Sequence, residues 1–165
     1  MEGIIQTQVN PQICLDFSRL LRTFLRQDPD IIMLGEIRDE ESALMALRAA
    51  QTGHLVLSTL HTNDAISAIS RLQQLGIQSH EIENSLLLVI AQRLVRKRCL
   101  KCGQEFGDSC DCHQGYQGRI GVYQFLQCEN NCYQTDFDSL YQSALKKVKD
   151  NITDLDEIQR VLGKK

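Results

Sequence analysis

Apolar positions in the first part of the chain follow two alternating patterns. Over about 16–27 and 40–51 they recur at helical spacing, with Asp16 placed to cap the first of these segments. Over 30–34 they form a continuous run of strand length, which is typical of a strand buried on both faces, and 54–60 is the next predicted strand. Short links between alternating helices and strands predict an α/β fold with a mainly parallel sheet.

The rest of the chain is predicted to contain helices, one short strand and two loop regions. A third helix is expected between a Thr62 or Asn63 cap and Gly76, followed by a longer helix over 81–98. A glycine-rich loop region begins at Cys99, and a short strand over 120–126 and a polar loop over 128–136 come after it. Two helices end the chain, over 137–149 and 154–162, and Thr153 caps the second of them. This pattern divides the chain into an α/β part over 1–98, a cysteine-rich segment over 99–126 and a helical segment over 127–165.

Composition agrees with a globular chain of one domain with a small appendage. Of 165 residues, 42% are hydrophobic and 24% are charged, and the net charge of −3 argues against a nucleic-acid binder held by bulk electrostatics. A basic run, Arg93, Arg96, Lys97, Arg98 and Lys101, leads into the cysteines; it predicts either a solvated helix end or a contact with a partner or anionic lipid. No apolar run approaches the roughly 20 residues of a membrane span, and the start has no signal-peptide pattern, so we expect a cytoplasmic chain with reduced thiols.

Four of the seven cysteines lie close together in the sequence. Cys99 and Cys102 have the two-residue spacing usual for chelating pairs. After seven intervening residues come Cys110 and Cys112, which are separated by one residue. Four thiolates can close a tetrahedral Zn²⁺ site, with His113 adjacent as a substitute fourth ligand. Unliganded thiols in a degenerate knuckle remain the alternative.

An acidic residue follows the first predicted strand. The segment 25–39 is a buried apolar strand that ends in Gly35, Glu36, Ile37, Arg38 and Asp39. Ligands of open α/β sheets bind outside the carboxyl ends of the strands, where a carboxylate can hold Mg²⁺ through water or orient an attacking water.

Two histidines bracket the second predicted strand. If 54–61 is extended, His54 and His61 lie about 23 Å apart, so both cannot contact one phosphate. In a parallel sheet His61 shares the carboxyl edge with Glu36, which makes it the candidate phosphate sensor or water-orienting residue. His54, at the start of the strand, is expected to be structural.

The segment 25–39 resembles the signature of the ATPases of type II secretion systems and type IV pili, in which Gly-Glu-Ile-Arg-Asp ends the Walker B strand. The segment 52–63 resembles the histidine box of the same family. Shorter matching segments follow one another along the chain, over 6–10, 91–94, 115–121 and 154–157. The resemblance implies the C-terminal part of a RecA-like P-loop ATPase domain with a small zinc-knuckle-like insertion and C-terminal helices.

The resemblance also implies a function for the complete protein. Glu36 would be the Walker B carboxylate, His61 the residue beside the terminal phosphate of ATP, and Arg38 with Asp39 a supporting polar pair at the nucleotide. A hexameric ring would couple hydrolysis of ATP with Mg²⁺ to assembly of a pilus or pseudopilus, through a platform protein at the bacterial inner membrane. Nucleic acid is not an expected partner.

The chain has no Gly-x4-Gly-Lys-Ser/Thr motif to cradle the β- and γ-phosphates. In the family this loop lies before the point that corresponds to Met1, so a fragment, a split gene and a gene remnant are all open. We therefore expect that the chain alone neither binds nor hydrolyses ATP. The competing function is a non-catalytic interaction module that docks partners through its cysteine-rich region.

Overall fold

The computed structural model describes residues 4–13, 15–102, 110–129, 132–134 and 137–163. These residues form two compact units. The first consists of Met1–His61 with Ala68–Leu86, and the second of Thr62–Ser67 with Leu87–Lys165. The predicted division into three parts stays a prediction, although residues 87–98 fall in the second unit. No helix in the described part of the chain is long and apolar enough to cross a membrane.

The first unit contains a parallel pair of strands with helices on one side. After a short 3₁₀ turn its elements are, in chain order, α1 (Phe17–Leu25), β1 (Ile31–Met33), α2 (Glu40–Gln51), β2 (Leu55–Leu57), most of α3 (Ala65–Gln74) and α4 (Ser79–Ser85). The strands β1 and β2 pair in parallel, with Ile32 opposite Val56. The predicted alternation of helices and strands is confirmed here.

Packing of the first unit follows from the apolar faces of its helices. Leu21 of α1 and two alanines of α2, Ala46 and Ala49, pack against Ile32 and Leu34. A second cluster joins α2 to the following helices through Ala43, Leu72, Ile77 and Ile82. Small residues on α2 let the helix approach the sheet closely.

The expectation that the first strand is buried on both faces is wrong. Ile32 is 5% exposed, but Ile31 and Met33 are 59% and 76% exposed. Side chains alternate across a strand, so one face of the sheet packs on α1 and α2 while the other lies open in the described part of this unit.

The second unit is built on an antiparallel sheet, so the expectation of a mainly parallel sheet holds for β1 and β2 alone among the described strands. Its elements are β3 (Leu88–Arg98), β4 (Tyr116–Glu129), β5 (Cys132–Gln134), α5 (Leu140–Lys149) and α6 (Leu155–Leu162), with strand order β3-β4-β5.

The predicted helix over 81–98 is wrong beyond Ser85, because the helix there, α4, ends at that residue and residues 88–98 form β3. Burial along β3 has a period near two, with Ala91 9% and Val95 0% exposed while Leu94 is 47% exposed. The strand gains its hydrogen bonds from β4, with Ala91 opposite Gln124 and Leu94 opposite Gly121. Pairing with a distant segment thus overrides the helical pattern of a short apolar run.

Three smaller expectations are also corrected. The strand predicted over 120–126 is longer, and part of the predicted loop over 128–136 is β5. Asp64 caps α3 through Ser67 N at 2.7 Å, in place of Thr62 or Asn63. Asp154 caps α6, while Thr153 is fully buried and its hydroxyl donates to the carbonyl of Arg96 at 2.8 Å.

Candidate functional site

The candidate nucleotide-facing site lies where β1 and β2 end. Hydrogen bonds continue beyond the strands, from Leu34 N to Leu57 O at 2.8 Å and from Ile37 N to Thr59 O at 3.0 Å. The hydroxyl of Thr59 also donates to the carbonyl of Gly35 at 2.6 Å. The two segments therefore run side by side past the carboxyl ends of the strands, where open α/β sheets bind ligands.

Glu36 and His61 meet at this edge. Their Oε2 and Nε2 atoms are 3.1 Å apart, and the other carboxylate oxygen of Glu36 accepts a hydrogen bond from Arg38. The side chain of Glu36 is 27% exposed, whereas those of His61 and Arg38 are 87% and 74% exposed. The expectation that Glu36 and His61 share one edge of a parallel sheet is confirmed; their catalytic roles stay predictions.

The charge of Glu36 is fixed by its neighbours. The hydrogen bond from Arg38 holds the pKa of the Glu36 carboxyl below its ordinary value; partial burial opposes the shift, and His61 adds to it. Glu36 is therefore an anion at neutral pH. An exposed carboxylate beside an imidazole can accept hydrogen bonds from a water or from the hydration shell of a divalent cation.

Asp39 and His54 form hydrogen bonds at the two ends of α2. The carboxylate of Asp39 accepts from Ser42 N at 2.8 Å and so caps α2, and this hydrogen bond lowers the pKa of Asp39. Nδ1 of His54 lies 3.0 Å from the carbonyl of Ala49 and 3.1 Å from the hydroxyl of Thr52. These contacts fit the structural role expected for His54. Participation of Asp39 and Arg38 in nucleotide binding stays a prediction.

The four clustered cysteines form a second candidate site. The sulfurs of Cys99 and Cys110 are 3.5 Å apart, those of Cys102 and Cys112 are 3.4 Å apart, and all four lie within 4.8 Å of one another. A tetrahedral zinc ion with Zn–S bonds of about 2.3 Å holds its sulfurs about 3.8 Å apart, so this donor set fits zinc.

Backbone groups favour a thiolate in the cysteine cluster. Amides of Cys102 and Lys101 donate to the sulfur of Cys99 and lower the pKa of that thiol to about 6. Among the described residues His113 is not part of the group; its backbone instead pairs with Tyr116. The structure thus brings together all four cysteines that the sequence pointed to, and the identity of a metal stays a prediction.

A buried ionic cluster was not found from the sequence. Glu157 on α6 is fully buried and accepts hydrogen bonds from the backbone N and side-chain Nε of Arg96, both at 2.8 Å, and from Arg160 at 2.7 Å. The guanidinium of Arg96 also lies 4.1 Å from the ring centre of Tyr116, whose hydroxyl donates to Asp154. The only signal in the sequence was an acidic residue at a mostly apolar helix position.

The predicted basic run before the cysteines is therefore not a single surface. Arg96 is bound within the second unit, and Arg93 donates to the carbonyls of Thr62 and Asn63. The hypothesis of a solvated helix end is wrong, since all the cations of the run except Lys101 lie on β3. Contact of the remaining cations with a partner or with lipid stays a prediction.

The fold is shared with solved ATPases. The Legionella pneumophila ATPase DotB superposes with a TM-score of 0.71 at 22% identity, covering 91% of this chain and 43% of that one. The pilus retraction motor PilT, solved with ADP, superposes with a TM-score of 0.67 at 30% identity, covering 88% and 43%. The predicted fold class is confirmed.

The chain belongs to the type II/IV secretion system protein family, which matches residues 1–160. It is 78% identical to the Haemophilus influenzae protein transport protein HofB homolog, over 99% of this chain and 35% of that protein. It is 41% identical to the type IV pilus assembly ATPase PilB of Acinetobacter baylyi, over 98% and 35%, and 39% identical to the type II secretion system ATPase E of Vibrio cholerae, over 98% and 40%.

The chain therefore spans little more than a third of the length of these relatives. The alignments with the pilus and secretion ATPases extend over 205 and 202 positions, whereas this chain has 165 residues. About 40 positions within the matched region of those relatives thus have no counterpart here. The alignment with the Haemophilus protein covers 164 positions, so that relative shares the shorter form.

Proposed function

We propose that this chain forms the carboxylate and histidine side of the nucleotide site in a secretion or pilus-assembly ATPase. The observation that supports the proposal is the contact between Glu36 and His61 at the carboxyl edge of β1 and β2. Both residues lie in the segments that resemble the Walker B strand and the histidine box. Bound ATP and Mg²⁺ would supply the phosphoryl group and its charge neutralisation.

Each side chain at this edge has a distinct proposed role. The anionic Glu36 accepts hydrogen bonds from a metal-bound or attacking water. His61, which is largely exposed and already contacts Glu36, orients that water or contacts the terminal phosphate. Arg38 donates to Glu36 and, because most of its side chain is exposed, would be able to turn towards a bound phosphate. Asp39 fixes the start of α2 behind the site.

We propose that these 165 residues alone neither bind nor hydrolyse ATP, because the chain contains no phosphate-binding loop. In the complete protein, hydrolysis would be carried out by a hexameric ring at the cytoplasmic side of the inner membrane. At that membrane, a platform protein would couple the hydrolysis of ATP to assembly of a pilus or pseudopilus. Relatives named as pilus and secretion ATPases support this general role.

The test is made in a continuous chimera, in which this chain replaces the matching segment of the Haemophilus influenzae relative. Glu36→Gln is expected to lower Mg²⁺-dependent ATP hydrolysis about 100-fold or more, since a positioned carboxylate contributes on that order. Asp156→Asn, a matched loss of a carboxylate on α6, should leave the rate unchanged. Full activity in Glu36→Gln, or robust turnover by the 165-residue chain alone, would contradict the proposal.

A second candidate function is a non-catalytic interaction module organised by the cysteine cluster, and the close approach of four sulfurs favours it.

In both functions we propose that the cluster holds one Zn²⁺ that stabilises the loop after β3. Metal analysis after purification without added metal should give about one zinc per chain. Cys110→Ser should lose it and Cys128→Ser should keep it. A metal-free wild type with unchanged thermal stability would exclude the ion.

A further inference from the structure

The imidazole of His61 depends on its backbone for its position. Its side chain is 87% exposed and meets Glu36 at Nε2, 3.1 Å from Oε2 of the carboxylate. An exposed side chain samples many positions, whereas a group that orients a water or contacts a phosphate has to be held to within about 0.5 Å. The backbone on both sides of His61 must therefore supply the order that its surroundings do not.

The backbone before His61 is tied to the segment after β1. The carbonyl of Thr59 accepts from Ile37 N at 3.0 Å, and the hydroxyl of Thr59 donates to the carbonyl of Gly35 at 2.6 Å. These contacts lie within the first unit, whose first segment ends at His61. The backbone after His61 needs an anchor of its own.

The segment 62–65 follows that histidine directly, and we call it the anchor loop. Arg93 on β3 donates from Nη2 to the carbonyls of Thr62 and Asn63, at 3.4 and 3.1 Å, and to Oδ1 of Asn63 at 3.4 Å. Nη1 of the same guanidinium donates to the carbonyl of Gln92 at 3.1 Å. Arg93 therefore bridges the anchor loop and the backbone of β3, which both belong to the second unit.

A second contact to the anchor loop comes from β4. Oε1 of Gln124, which is 9% exposed, accepts from the amide of the fully buried Ala65 at 3.2 Å. Hydrogen bonds from Ser67 hold the pKa of Asp64 below its ordinary value, and the positive charge of Arg93 adds to the shift. The anchor loop is thus held by hydrogen bonds from two strands and by an opposite charge.

The bridge from strand to loop requires the geometry of arginine. The two terminal nitrogens of a guanidinium are fixed in one plane, so one can hold the strand while the other holds the loop. A lysine ammonium has one nitrogen on a flexible stem and cannot span both groups. The guanidinium of Arg93 is engaged with backbone carbonyls, so its effect on a bound nucleotide has to pass through the anchor loop.

We infer that Arg93, supported by Gln124, is a positioning residue for the histidine side of the nucleotide site. It holds the anchor loop on the β3–β4 sheet and thereby fixes the backbone that carries His61. The inference rests on the proposed function, because Arg93 acts through His61 and not on the nucleotide.

The test is a double-mutant cycle in the continuous chimera. Arg93→Met keeps the apolar stem and removes the donors, and we expect it to lower kcat about 10-fold with less than about a 2-fold change in KM for MgATP. In the His61→Ala background the same substitution should cost nothing further, since the group that it positions is already gone. A further loss of about 10-fold in that background would overturn the inference, because general damage to the fold lowers the rate in both backgrounds.

Two more variants separate the geometry of Arg93 from its charge and from arginine content. Arg93→Lys keeps the charge but loses the fork, so its kcat should lie between those of the wild type and Arg93→Met. Arg119→Met removes an exposed arginine from β4 and is the matched control, which should leave kcat unchanged in both backgrounds. Equal rates in Arg93→Met, Arg119→Met and the wild type would overturn the inference.

Hydrogen exchange gives a readout that does not depend on ATP. In the 165-residue chain, Arg93→Met and Gln124→Leu should each raise the exchange rate of the Ala65 amide about 10-fold, because each removes a contact that closes the anchor loop. Amides within α5 should keep their rates, which excludes general unfolding. Unchanged exchange at Ala65 in both variants would show that neither residue anchors the loop, and the inference would be wrong.

Failure of the inference and failure of the proposed function give different results. If His61→Ala lowers hydrolysis while Arg93→Met does not, the proposed function stands and only the inference fails. If the cycle couples Arg93 to His61 while Glu36→Gln hydrolyses ATP at the normal rate, the inference stands and the proposed role of Glu36 fails. If His61→Ala itself hydrolyses ATP at the normal rate, the proposed role of His61 and the inference are both wrong.

Discussion

Two glutamates of this chain each bind arginine, yet their surroundings differ. Glu36 follows β1, has 27% of its side chain exposed, and contacts the largely exposed Arg38 and His61. Glu157 lies on α6 with no exposed surface, accepts four hydrogen bonds from Arg96 and Arg160, and forms a further ion-pair contact with Arg96. A carboxylate available to a ligand keeps mobile, solvated partners, whereas a carboxylate that holds a fold together has all its acceptor sites occupied.

The energetics of the two pairs should differ in the same way. An exposed ion pair contributes little to stability because water screens it and the long side chains lose entropy. Removing one partner of a buried pair leaves charge without compensation and is strongly destabilising. The same substitution at the two glutamates therefore separates a site that binds from a site that stabilises.

The largest effect is expected from Glu157→Gln. The amide cannot neutralise Arg96 and Arg160 and cannot accept all four hydrogen bonds, so we expect a loss of about 3 kcal/mol in the free energy of unfolding. For a chain of this size the melting temperature should fall by about 10 °C, measured by calorimetry or circular dichroism. An unchanged melting temperature would show that the cluster does not stabilise the second unit.

Acid pH is expected to lower the free energy of unfolding by a comparable amount without any substitution. Burial alone would raise the pKa of Glu157, but hydrogen bonds from Arg160 and Arg96 outweigh it and lower the pKa from 4.5 to about 2. Because the folded value is depressed, the stabilisation is fully present above the unfolded pKa and is lost as the pH falls from about 5 to 2, by about 3 kcal/mol.

Urea titrations across that pH range should show a steeper loss for the wild type than for Glu157→Gln. Both proteins keep Asp39 and Asp64, whose pKa values are also lowered, so the difference between them isolates Glu157. Parallel curves for the two proteins would assign the acid sensitivity to other carboxylates.

The contrast also explains what could be predicted from the sequence. Glu36 and His61 could be placed together because each follows an apolar strand and parallel strands end at one edge. The bounds of α2 follow from local signals, namely acidic residues in its first turn and Gly53 after its end, where φ is 96°. Such features depend on residues close in the chain.

Features that depend on distant partners were missed. Arg96 and Glu157 are 61 positions apart, and nothing local marks them as a pair. The segment 88–98 is predicted to be helical because its own residues do not reveal the strand with which it pairs. That strand, β4, begins at Tyr116, beyond the cysteine-rich loop. The face of β1 that carries Ile31 and Met33 was expected to be buried, because the apolar run of β1 indicates two covered faces without showing where the second layer comes from.

A smaller effect is expected from Tyr116→Phe, which extends the comparison to the edge of the buried cluster. The hydroxyl of Tyr116 donates to Asp154 Oδ2 at 2.7 Å, and the ring stacks under Arg96. The substitution removes the hydrogen bond but keeps the ring, so we expect a loss of about 1 kcal/mol, measured by urea unfolding. Tyr116→Leu, which also removes the cation–π contact, should cost more; equal losses for both variants would limit the role of Tyr116 to its hydroxyl.

The smallest effect on stability is expected from Glu36→Gln, the same chemical change as at Glu157. Arg38 and His61 remain hydrated when the charge of Glu36 is removed, because most of each side chain faces water. The melting temperature of the 165-residue chain should therefore be unchanged, and it should stay so at low and high salt. If Glu36→Gln instead unfolds the chain as readily as Glu157→Gln, then Glu36 is a structural residue, and loss of hydrolysis in the chimera would no longer identify it as part of a nucleotide site.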